Sequence, residues 1–196
     1  MNERKMSTRL LVMSAIITAL VVLLQAVGAT IKLGPFSISL VLIPIVIGTA
    51  TCGWKIGAWL GFVFGAMVLI SGDANLFLAV NVPGTIITVM VKGILCGLLS
   101  GLAFKGVYKF FKGNIYIATA VAAVVCPIVN TGIFLLGCLV FFMDTIREWA
   151  LAANLGGGVA YYMIFGLVGA NFLVEIGANI VFSPIIVRII KATERK

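Results

Sequence analysis

Five polar side chains lie inside long apolar runs: Lys92, Asn130, Asn171, Glu175 and Asn179. In a membrane-like setting such groups are costly unless they face a partner or a wet cavity. Glu175 is the hardest to place. It stands 14 residues from Tyr161 and 13 from Arg188, about 20 Å from either end of a helix rising about 1.5 Å per residue. A glutamate cannot reach the headgroups from there, so it needs a proton, a partner or a wet cavity. Asn171 and Asn179, at i−4 and i+4, share its helix face and extend the polar stripe to about 12 Å. Such a stripe either lines a binding cavity or bonds to a neighbouring helix.

Lys92 lies seven residues beyond Thr85, about 10 Å from the outer end of its helix. It either snorkels to the outer headgroups or faces a cavity, where it pairs with Glu175 or, left unpaired, would suit a carboxylate-bearing ligand. Asn130 follows Pro127 within a turn. The proline removes a backbone donor and frees a carbonyl one turn earlier, so this is a structural kink or part of a site. Other chemistry is poorly supplied. The chain has no histidine, and Cys52, Cys96, Cys126 and Cys138 form no C-x-x-C pair. That argues against a zinc site, against a disulfide framework and, with no acid pair or nucleophile–base set, against an enzyme. No metal or cofactor is expected.

The elements that position these residues follow from composition. The chain is 62% apolar and 10% charged, with a mean hydropathy of +1.23, whereas soluble domains carry about 25% charged residues. The expected fold is an all-α integral membrane protein, a single domain over 1–196. Six spans are predicted: Leu10–Ala29, Ser37–Cys52, Ile56–Ile70, Thr85–Phe104, Ile115–Phe142 and Ala160–Val187. The first run is too long for the apolar core of a signal peptide and reads as a span. Residues Asp144 to Gly158 read as a connection. Residues 71–84, with Asp73, Asn75, Asn81 and Pro83 around Leu76–Val80, are too apolar for a plain linker. They predict a short helix or flap over the outer mouth, bringing Asn81 to the site.

Six spans put both termini on one side, with Arg4, Lys5, Arg9, Lys55, Lys105, Lys109, Lys112, Arg188, Lys191, Arg195 and Lys196, against Lys32 and Arg147 opposite. The positive-inside rule makes the termini cytoplasmic and explains the net charge of +8 without nucleic acid. Glycine ladders, Gly53-Gly57-Gly61-Gly65 and Gly93-Gly97-Gly101, offer either a sliding partner surface or tight packing within the bundle. Small residues crowd 1–70, which suggests a partner-docking half. The unusual polar residues fall in 71–196, a ligand-binding half.

Several stretches resemble a known family. Ala15-x-x-x-Ala19, LGPFSISLVLIPIVIG (Leu33–Gly48), GWKIGAWLGFVFGAMVLISGD (Gly53–Asp73) and the Asn81–Lys92 segment resemble the substrate-binding S component of energy-coupling factor (ECF) vitamin transporters. The second and third blocks look most like the pantothenate-transporter-like branch. The resemblance implies capture of a water-soluble vitamin near the outer face of the cell membrane. It implies docking through Ala15 and Ala19 on a T component, and two cytoplasmic ATPases as the motor. No P-loop of the G-x-x-x-x-G-K-[ST] form is present. Asn81, Lys92, Asn130, Asn171, Glu175 and Asn179 are the expected ligand residues. A second possibility is a stand-alone proton-coupled transporter using Glu175, although the two halves show no convincing internal repeat.

Overall fold

The computed structural model describes residues 8–30, 32–33, 36–37, 39–154 and 156–194. Arg4, Lys5, Arg195 and Lys196, counted above for orientation, lie outside them. Helix α1 (Thr8–Gly28) buries a single stripe, Ser14, Ile17, Val21, Gln25 and Gly28. Its other faces expose Leu11, Ile16, Leu20 and Leu23. An antiparallel pair of two-residue strands follows, β1 (Lys32–Leu33) and β2 (Phe36–Ser37), with Lys32 opposite Ser37.

The second predicted span is shortened by this hairpin. Ser37 is in strand, and α2 (Leu42–Cys52) has only 11 residues, about 16 Å of helix. Gly53, at φ 91°, makes the turn into α3 (Trp54–Ile70), a conformation that glycine adopts without steric cost. One turn of helix, α4 (Asn75–Leu78), interrupts the 71–81 segment.

Helix α5 (Val82–Phe110) is 29 residues long and α6 (Ile115–Phe141) is 27. Asn81 and Asn114 cap them by accepting from backbone N–H groups of the first turn. The stretch expected to be a connection contains α7 (Met143–Ala153), which buries Ile146 and ends at Asn154 in the left-handed region. The last helical stretch runs from α8 (Gly158–Tyr161) through a π-helical segment (Tyr162–Gly169) into α9 (Ala170–Glu194).

Among the described residues, four helical stretches are long and apolar enough to cross a membrane: Thr8–Gly28, Val82–Phe110, Ile115–Phe141 and Gly158–Ala192. Helices α2 and α3 are shorter apolar helices.

Packing explains the glycine ladders. A Cβ added at Gly61 would collide with the Gly93 carbonyl, and one at Gly93 with the Gly61 carbonyl. Gly57 and Gly97 stand in the same reciprocal relation. Each ladder is therefore the other's partner, and α3 and α5 meet backbone to backbone. The sliding-surface alternative does not apply to these faces. Ile17, Val21, Leu42, Ile45, Leu60 and Phe64 build the main core beside this contact. A second cluster, with Phe77, Cys138, Phe142, Ile146, Met163 and Leu167, lies under α4 and α7.

Candidate functional site

The hairpin, the 71–81 segment, α5, α6 and the π-helical start of α9 converge on one polar cavity. Ser37 and Ser39 come from β2 and the turn after it, and Asp73 from the segment after α3. Helix α5 supplies Lys92, while α6 supplies Asn130, Thr131 and Phe134. The π-helical segment and α9 complete the wall with Leu167, Val168, Asn171, Phe172 and Glu175. The i, i+4 spacing carries Asn171 and Glu175 to the same side of α9. Asn130 is 4% exposed, Asn171 7% and Glu175 4%.

The stripe on α9 reaches the hairpin, and Glu175 also lies beside Asn130 of α6. The Ser39 N–H donates to Glu175 Oε1 at 3.3 Å. Asn171 Nδ2 donates to the Ser37 carbonyl at 3.5 Å, a long contact. Asn179 turns back on its own helix, donating to the Glu175 backbone carbonyl at 2.9 Å, and does not line the cavity. Asn81 also sits elsewhere than expected. Its side chain accepts from the Gly84 N–H at 3.0 Å and closes the first turn of α5.

Lys92 is built into the cavity wall. Its ammonium lies 5.6 Å from the Phe64 ring centroid and 5.5 Å from that of Phe134, within cation–π range. Among the described residues no carboxylate comes within 4.0 Å of it; the one ion pair is Arg147–Asp144. Lys92, Asp73 and Phe134 also border a second, smaller cavity closed by Phe77, Thr88 and Phe142.

Asp73 was not singled out by sequence, and it organises the mouth. Its Oδ2 accepts from Ser37 Oγ at 2.6 Å and from Gln25 Nε2 at 3.4 Å. One carboxylate thus ties the 71–81 segment to the hairpin and to α1. Phe77 anchors the same segment among Phe134, Phe142 and Trp149, with ring centroids 4.8–5.6 Å apart. The signal for Asp73 was a carboxylate directly after a span, which alone is ordinary for a loop. Ser37, Ser39, Thr131 and Phe134 carried no signal beyond their residue types.

The cavity is narrow, about 60 Å³, against about 300–1,000 Å³ for typical ligand pockets. Four of its oxygens are buried without a hydrogen-bond partner: Asp73 Oδ1, Asn130 Oδ1, Asn171 Oδ1 and Glu175 Oε2. Buried polar atoms without a partner are uncommon in native proteins and call for a water, an ion or a ligand; Thr88 Oγ1, Ser100 Oγ, Thr119 Oγ1 and Asn179 Oδ1 are likewise unpartnered but lie outside this cavity. Away from the buried stripe of α1, Ala15 and Ala19 lie on its exposed face. Ser14 and Thr18 beside them bond to the backbone of α1 itself.

The family model described as "ECF transporter, substrate-specific component" matches residues 9–187. No curated protein and no solved structure matches the chain. Members of this family confer transport specificity and are not themselves enzymes. With its apolar helices and buried polar cavity, the chain belongs to the ECF transporter substrate-specific components.

Proposed function

We propose that this protein captures a water-soluble vitamin or related micronutrient in the cavity between the hairpin and α9. It then hands the ligand on after docking on a T component driven by two cytoplasmic ATPases. The single observation that carries this reading is the set of buried, unpartnered polar groups gathered in one cavity of an otherwise apolar bundle. Lys92, Asn130, Asn171 and Glu175 contact the ligand, Asn179 braces Glu175 from the turn below, and Asn81 shapes the start of α5. Ala15 and Ala19 give α1 the small, flat face for the T component. The chain lies in the cell membrane as six spans with both termini cytoplasmic, α2 and α3 being the short ones.

The narrowness of the cavity supports an opening step. A vitamin-sized ligand reaches Glu175 only if the Asp73 contacts to Ser37 and Gln25 part and the 71–81 segment lifts. Pantothenate is one candidate, through the resemblance of Leu33–Gly48 and Gly53–Asp73 to that branch; its carboxylate would have to sit on Lys92.

The test is uptake of labelled vitamins into vesicles holding this chain with and without a T component and the ATPases. Uptake that needs all of them, and ligand binding that falls in Glu175→Gln while the protein stays folded, are the expected results. Accumulation driven by a pH gradient through this chain alone would overturn the reading and identify a proton-coupled secondary transporter working through Glu175.

A further inference from the structure

The fully buried atoms left unpartnered in the cavity are all oxygens. Asp73 Oδ1, Asn130 Oδ1, Asn171 Oδ1 and Glu175 Oε2 are hydrogen-bond acceptors. Two of them belong to carboxylates, which when ionised can only accept. The amide of Asn171 has its NH₂ turned to the Ser37 carbonyl, so its oxygen is the atom left over. Against these stands one cation, Lys92, whose ammonium already lies over the rings of Phe64 and Phe134. The lining thus sets two carboxyl groups and two amide oxygens against one ammonium.

A ligand carboxylate placed here would face the Asp73 carboxylate and further acceptor oxygens, and like charges in a desolvated site oppose binding strongly. A donor-rich group would pair with every orphaned oxygen. Resting on the capture function argued above, we propose that the site selects a cationic or amine-bearing nitrogen heterocycle and excludes ligands whose principal polar group is a carboxylate. The ligand's N–H groups face Asp73, Asn130, Asn171 and Glu175. Lys92 donates to a ring nitrogen or carbonyl at the ligand's other end. This reverses the expectation of a carboxylate on Lys92 and sets pantothenate aside as the ligand, because that expectation gave Asp73 no place in the site.

The experiment is thermal stabilisation of the detergent-purified full chain by a probe set divided by charge. Thiamine and pyridoxamine are the amine-bearing cations, and pantothenate, biotin and nicotinate the carboxylates. Stabilisation by an amine-bearing cation and by no carboxylate is the expected result. For the probe that binds, Glu175→Gln and Asp73→Asn should each weaken affinity roughly tenfold or more, the loss of a charged hydrogen bond. Both changes are isosteric, and size-exclusion profiles matching the parent protein establish that the variants are folded. A carboxylate as the strongest binder overturns the selectivity and leaves the capture function standing. A cation whose affinity ignores both substitutions overturns the assignment of these oxygens. No stabilisation by any probe, with no vitamin found by mass spectrometry in the purified protein, counts against the capture function itself.

Discussion

Replacing Gly61 with alanine should destabilise the protein, against the usual sign of that change in a helix. Alanine is ordinarily favoured over glycine in a helix interior by about 1 kcal/mol. At Gly61 the added Cβ runs into the Gly93 carbonyl, a backbone atom that cannot swing aside as a flexible side chain would. Relief requires α3 and α5 to move apart along the whole Gly57–Gly97 and Gly61–Gly93 contact. Overpacking of this sort costs about 1–3 kcal/mol, so the net change is a loss of up to about 2 kcal/mol after the propensity gain. At about 2–4 °C per kcal/mol for a chain of this size, the midpoint falls by up to about 8 °C. The internal comparison is Gly106→Ala, also on α5, where nothing lies within 4 Å of the new Cβ. That variant should melt at or above the parent temperature. Thermal unfolding in detergent reads both. If Gly61→Ala proves as stable as Gly106→Ala, the backbone contact between α3 and α5 is wrong.

Three other outcomes can be checked directly. Asn81→Ala removes the N-cap of α5 and should cost about 1 kcal/mol in the same melts, with ligand affinity unchanged; an affinity loss would return Asn81 to the site. Phe77→Ala empties the space between Phe134, Phe142 and Trp149. Amide exchange should then speed up across 71–81 and stay unchanged in α3 and α5, and equal loosening everywhere would refute the local anchor. Ala19→Trp places a bulky ring on the exposed face of α1. Vitamin binding should be retained while ATPase-dependent uptake drops, and normal uptake would remove α1 from the docking surface.

The long helices were legible because uninterrupted apolar runs leave little choice. Glu175 and Asn171 were legible as unusual because depth along a helix is simple arithmetic. What they face was not legible. Their partners come from β2 and the turn after it, and strands of two residues carry no periodic signal. Helix α7 was hidden by Asp144, Arg147 and Glu148, which read as a polar connection while Ile146 on the same turns is fully buried. The capping role of Asn81 was visible in its grammar: an asparagine two residues before Pro83 is a helix start. The two glycine ladders were each seen, but their mutual fit is a relation between segments more than 30 residues apart.

That fit fixes which parts of the site can move. Lys92 is the residue before Gly93, so its backbone is clamped where α3 and α5 interlock. Asp73 hangs on a segment held by side-chain contacts, and Glu175 follows a π-helical stretch, a departure from regular helix often found at functional sites. The cation of the cavity therefore stands on the stator, whereas Asp73 rides on the segment over the mouth. Lifting that segment would draw the Asp73 carboxylate away from a fixed Lys92, so opening the mouth would carry an electrostatic change as well as a steric one.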